Sequence, residues 1–115
     1  MTIRIFHNPR CSKSRATLAL LQDNGYEPEV QLYLESPPDA VELEGVLKKL
    51  GIPARELMRK GEAEYRELGL SDDSLSEQAL IDAMVTHPRL IERPIVLANG
   101  RAAIGRPPEA VLEIL

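Results

Sequence analysis

The sequence predicts an α/β fold, a four-stranded mixed sheet flanked by helices, with a helical insertion between strands 2 and 3. Three observations carry this. A short β-prone run at the N-terminus gives way to a helix-forming segment. Several helix-period stretches fill the middle of the chain. An Asn-Gly turn near the end joins two more short apolar runs.

Taken in order, Ile3 and Ile5 mark the first strand, and His7-Asn8-Pro9 ends it with turn chemistry. A helix is expected from about Ser12 to Asp23. Ala16, Leu18, Ala19, Leu20 and Leu21 would form its apolar side, and Asn24-Gly25 would stop it. Val30, Leu32 and Leu34 alternate with Gln31 and Tyr33, the period of a second strand. Ser36-Pro37-Pro38-Asp39 opens another helix carrying Leu43, Val46, Leu47 and Leu50, closed by Gly51. Pro53 starts a short helix ending near Arg59, and a further turn or two is expected between Glu62 and Leu68. Ser74 and Glu77 have capping-box spacing ahead of Leu80, Ile81, Met84 and Val85. Ile95–Leu97 and Ala102–Ile104 flank the turn Ala98-Asn99-Gly100-Arg101, and Pro107-Pro108 opens a last helix with Val111, Leu112 and Leu115.

Two early strands joined by a helix should be parallel, with a right-handed crossover. The late hairpin must be antiparallel. A sheet satisfying both has thioredoxin-like architecture. The length of 115 residues suits one domain over residues 1–115, and 43% hydrophobic residues suffice for a core.

The composition excludes several classes of function. The formal net charge of −4, from 14 basic and 18 acidic residues, argues against a broad nucleic-acid-binding face. No apolar run reaches membrane-spanning length, and the N-terminus lacks the apolar core of a signal peptide, so no membrane partner is expected. One cysteine cannot close an internal disulfide, and with two histidines it offers no metal cluster. A lone thiol suits a reducing compartment, so a cytoplasmic location is expected. No long exposed apolar stripe demands a partner, which leaves a monomer as the default.

That cysteine, Cys11, falls between the first strand and the first helix. A helix N-terminus presents unpaired N–H groups and partial positive charge, and both favour thiolate over thiol. Arg10, Lys13 and Arg15 flank it, and the polar run Arg10-Cys11-Ser12-Lys13-Ser14 predicts an accessible sulfur rather than a core one. Spacing then separates mechanisms. A redox dithiol needs Cys-x-x-Cys, but Ser14 stands at the second position, so an outside thiol must resolve any oxidised intermediate. A phosphatase-type anion loop would place arginine where Thr17 stands, and Arg15 is two residues early.

The segment His7-Asn8-Pro9-Arg10-Cys11-Ser12-Lys13-Ser14-Arg15 resembles the active-site segment of the glutaredoxin-coupled arsenate reductases. The similarity continues through Leu57-Met58-Arg59-Lys60 and Glu64-Tyr65-Arg66-Glu67-Leu68-Gly69-Leu70. It extends through Glu92-Arg93-Pro94-Ile95-Val96 and Gly105-Arg106-Pro107-Pro108-Glu109-Ala110-Val111-Leu112. The resemblance implies arsenate as substrate, glutathione as co-substrate, glutaredoxin as protein partner and no bound cofactor or metal. It casts Cys11 as the nucleophile that forms a thiol–arsenate adduct, and His7 as an aid to its ionisation. It casts Arg59, Arg93 and Arg106 as the oxyanion-binding trio. It also implies a cis peptide before Pro94.

Guanidinium groups suit that trio. Each presents paired donors in one plane and keeps its charge at any working pH, which lets an anionic nucleophile approach an anionic substrate. Arg93 and Arg106 each precede proline, where the backbone is extended and pinned. Two alternatives share the fold. One is another glutathione-dependent thiol reductase. The other is a non-enzymatic RNA-polymerase-binding regulator, whose usual Cys-x-x-Cys switch is absent here.

Overall fold

The computed structural model describes residues 2–115. They divide into two units: the chain up to Ser36 together with Arg93–Leu115, and Pro37–Glu92.

The first unit holds the sheet. Its strands are β1 (Ile3–Phe6), β2 (Glu29–Gln31), β3 (Ile95–Ala98) and β4 (Arg101–Ile104), and α1 spans Ser12–Asp23. The spatial order is β2-β1-β3-β4. β1 pairs parallel with β2 and antiparallel with β3, placing Ile5 opposite both Val30 and Val96. β3 and β4 form the antiparallel hairpin. Its turn residues Asn99 and Gly100 have φ of 55° and 71°, the left-handed pair that a type I′ turn requires. This mixed sheet, with a helix crossing between two parallel strands and a hairpin at the other edge, is thioredoxin-like.

One face of the sheet buries Ile3, Ile5, Val96 and Ala98 against Leu21 of α1 and against Val111 and Ile114. Those last two lie on the last helix, Pro108–Ile114, which is a 3-10 helix. The buried stripe of α1 differs from expectation. It runs through Ser14, Thr17 and Leu21, while Ala16 and Ala19 are exposed. A helix this size buries only one stripe, and positions 14, 17 and 21 share it. Thr17 is accommodated because its hydroxyl donates to the Lys13 carbonyl at 2.8 Å. The second strand is shorter than its alternation predicts. A turn replaces it after Gln31, in which Glu35 N–H donates to the Leu32 carbonyl and Tyr33 is fully buried. Val30, Leu32 and Leu34, the apolar set of the pattern, are exposed.

The second unit is helical: α2 (Ala40–Leu50), α3 (Ala54–Leu57), α4 (Ala63–Glu67), α5 (Glu77–Thr86) and a 3-10 turn at Pro88–Leu90. Asp39 caps α2 by accepting from Glu42 N–H at 2.8 Å, and Gly51 ends it at φ 71°. The capping box expected from Ser74 and Glu77 does not form. Ser74 gives both its N–H and its hydroxyl to Asp72 Oδ1, Ser76 becomes the cap of α5, and Glu77 accepts from Ala54 N–H. A nearby carboxylate in a local turn outcompetes the helix end for the serine. Met58 bridges Ile91, with Arg59 N–H donating to the Leu90 carbonyl and Glu92 N–H to that of Leu57.

Candidate active site

β1 delivers the chain to the loop that precedes α1. Cys11 is the N-cap residue of α1, in extended backbone geometry at φ −96° and ψ 122°. Its N–H donates to the Asn8 carbonyl, and its own carbonyl accepts from Arg15 N–H, both at 3.0 Å. The Arg15 side chain donates back to the Pro9 carbonyl at 2.9 Å, closing the loop on itself.

The expectation of an accessible sulfur needs correction: Cys11 is only 8% exposed. Its surroundings are polar nonetheless. Arg106 Nη2 lies 3.7 Å from Cys11 Sγ and reaches across it, while Ser12, Lys13 and Arg15 beside it stay exposed. Burial alone would push the thiol pKa up, and it is the largest single influence. The Ser14 amide, the Arg93 charge, the Lys13 amide and an Arg93 side-chain hydrogen bond together outweigh it. The net effect holds the thiol below its ordinary value. Cys11 makes no capping hydrogen bond of ordinary geometry, so the amides act chiefly through their partial charge.

Two arginines from the open end of the β3–β4 hairpin reach this sulfur. Arg93 precedes β3 and Arg106 follows β4. Arg106 Nε donates to the Arg93 carbonyl at 2.8 Å, which ties the two segments together. Both are followed by cis prolines, Pro94 and Pro107; the family resemblance implies only the first. Gly105 makes the approach possible. Its N–H donates to the Pro94 carbonyl at 3.0 Å, and a Cβ there would overlap Thr17 Oγ1 and lie 2.7 Å from Pro94 Cγ.

His7 enters through Ser14. Its Nδ1 lies 2.6 Å from Ser14 Oγ, which also accepts from Asn8 N–H at 3.0 Å. Both side chains are buried, His7 at 7% exposure and Ser14 fully. Burial first, and the Arg15 charge second, lower the His7 pKa, so the ring is neutral near pH 7. Ser14 occupies the position a resolving thiol would take and serves instead as the joint between helix and loop. In sequence Ser14 belongs to the polar run around Cys11 and stands where a resolving cysteine would, with no motif that marks its tie to His7. Its place at the third helical position, facing back toward the loop, is the signal available.

Arg59 belongs to the second unit. Its guanidinium is 2.7 Å from Glu62 Oε1 and donates to the Arg89 carbonyl at 3.3 Å. Among the described residues no cluster of His, Cys, Asp or Glu could hold a metal ion. No described helix is long and apolar enough to cross a membrane.

A model of the ArsC family matches residues 6–114. The chain belongs to the ArsC family. Curated relatives at similar length agree. An arsenate reductase of Neisseria meningitidis is 54% identical over 98% of this chain and 97% of its own. An uncharacterized protein of Escherichia coli K12 is 66% identical over 98% of this chain and 96% of its own. Among solved structures, an arsenate reductase from Vibrio cholerae superposes on this ArsC-family chain with a TM-score of 0.98. It is 54% identical and covers 100% of this chain and 98% of its own.

Proposed function

We propose that this protein is an arsenate reductase in which Cys11 attacks arsenate and an outside thiol system supplies the electrons. One observation carries the reading. A single sulfur, with its pKa held down, lies at the start of α1 with the Arg106 guanidinium 3.7 Å away and the Arg93 charge beside it. Membership of the ArsC family supports arsenate as the anion.

Chemistry follows from charge. The thiolate is the nucleophile, and the guanidinium donors hold the arsenate oxygens while neutralising the repulsion between two anions. Attack forms a sulfur–arsenic bond and expels one arsenate oxygen as water. Glutathione then condenses at arsenic with loss of a second water. Glutaredoxin attacks the glutathione sulfur to form a glutaredoxin–glutathione mixed disulfide, the glutathione sulfur–arsenic bond breaks, and its electron pair stays on arsenic, now As(III). Water then hydrolyses the remaining Cys11 sulfur–arsenic bond, which releases arsenite and regenerates the Cys11 thiol. The chain has one cysteine, so both reducing thiols must come from outside. Arg59 joins Arg93 and Arg106 as an arsenate ligand, His7 acts through Ser14 on the Cys11 loop, and Pro94 shapes the Arg93 segment. The working unit is residues 1–115 as a cytoplasmic monomer.

A coupled assay tests this reading, following glutathione oxidation that depends on added arsenate, with and without glutaredoxin. Wild type should turn over and Cys11→Ser should be inactive. Arsenate-dependent turnover by Cys11→Ser would remove Cys11 from the reaction. Turnover that needs a different dithiol protein would keep the reductase and replace glutaredoxin.

A further inference from the structure

We propose that Glu62 is the positioning residue for Arg59, fixing that guanidinium in place before arsenate arrives. The inference rests on the reading of Arg59 as an arsenate ligand.

Backbone hydrogen bonds hold Arg59 on both sides. Its N–H donates to the Leu90 carbonyl at 2.7 Å, and its carbonyl accepts from Glu62 N–H at 3.2 Å. The side chain would still be free to sample many rotamers, and Glu62 removes that freedom. Its Oε1 takes Arg59 Nη2 at 2.7 Å, and its Oε2 takes Arg89 Nη2 at 3.0 Å. The carboxylate thus bridges two guanidinium groups with its side chain only 15% exposed. Arg89 is also 3.8 Å from Glu64, so the second arginine has its own counter-charge. The Arg89 carbonyl takes Arg59 Nη1, which fixes the plane of the group at a second point.

A guanidinium has five N–H donors. Glu62 and the Arg89 carbonyl use one on each terminal nitrogen, and the remaining donors stay available to an oxyanion. Ordering a long side chain costs rotamer entropy, and a clamp formed on folding removes that cost from the binding step. The effect belongs to substrate binding, in ground state and transition state alike, so it should read in KM and spare kcat.

The experiment compares Arg59→Ala, Glu62→Ala and Glu62→Gln in steady-state arsenate reduction, with melting temperature recorded for each. Glu62→Ala should raise the arsenate KM about tenfold with kcat within about twofold, the signature of lost uniform binding. Glu62→Gln keeps an acceptor oxygen at the same reach and should bring KM back to within about threefold of wild type. A purely structural Glu62 would lower the melting temperature without this split, and that result overturns the proposal. So does a lower KM in Glu62→Ala, which would mean the carboxylate competes with arsenate. If Arg59→Ala leaves KM unchanged, Arg59 is not a ligand and the inference falls with that reading. If Arg59→Ala raises KM and Glu62→Ala does not, only the positioning role of Glu62 fails. Should Glu62→Ala not fold, Glu62→Asp carries the test. Its carboxylate is one methylene short, so KM must again rise, and an unchanged KM overturns the proposal.

Discussion

Arg106 does two jobs with one side chain: Nε holds the Arg93 carbonyl while Nη2 faces Cys11 Sγ. Replacing it should therefore raise the thiol pKa by removing charge and by loosening Arg93. The measurement is the pH dependence of Cys11 alkylation. Wild type should show an inflection below the free-cysteine value of about 8.5, and Arg106→Ala should move it upward. The sign for stability follows. A depressed thiol pKa means the folded state holds fewer protons than the unfolded state between the two values. That contribution is full above the unfolded value and lost as pH falls through the folded one. His7 behaves likewise on the acid side. Its lowered pKa means the unfolded chain takes up a proton near pH 6.5 that the folded chain refuses, so stability drops on further acidification. In His7→Gln the difference in urea unfolding free energy between pH 7.5 and pH 5.5 should shrink. An unchanged difference would show that His7 does not set the acid limb.

α1 and the β3–β4 hairpin meet at Gly105, where side-chain volume is not tolerated. Gly105→Ala forces a methyl group onto Thr17 and Pro94 and should destabilise the fold by about 1–3 kcal/mol, typical of overpacking. Thermal unfolding measures this as a lower midpoint, and arsenate reduction should fall with it because Arg106 is the next residue. A neutral Gly105→Ala would show that the hairpin can slide away from α1. The sequence makes some of these relations visible. The Asn99-Gly100 turn and the Ser12–Asp23 helix stand where turn chemistry and the stop signal put them. The stripe that α1 buries does not, because Ser14 and Thr17 are polar and hydropathy periodicity passes over them. Both pack inward because local partners satisfy their hydroxyls: Thr17 donates to the Lys13 carbonyl one helical turn back, and Ser14 meets His7 and Asn8 of the folded loop.

One cysteine in the whole chain sets the stoichiometry of its redox chemistry. An aromatic disulfide reagent should release one thiol equivalent per 12.8 kDa chain in denaturant. In the native protein the same single equivalent should react, slowed by the burial of Cys11 and accelerated by thiolate character. Protection by arsenate against this reaction, read as a slower rate at saturating anion, would place the anion at the sulfur. A rate indifferent to arsenate would argue that the two do not meet.

By itself the amino-acid order determined the succession of strands and helices, the solitary thiol ahead of a helix, and the arginines placed before prolines. These follow from local rules, since period, turn residues and spacing are properties of neighbours along the chain. Tertiary structure decided which polar side chains turn inward, that Arg106 bridges Arg93 and Cys11, and that Glu62 holds Arg59. The Arg106 bridge depends on groups far apart in sequence reaching hydrogen-bond distance, and the Glu62–Arg59 pair, only three residues apart, is completed by Arg89 from a distant segment. Burial then strengthens interactions that water would otherwise screen.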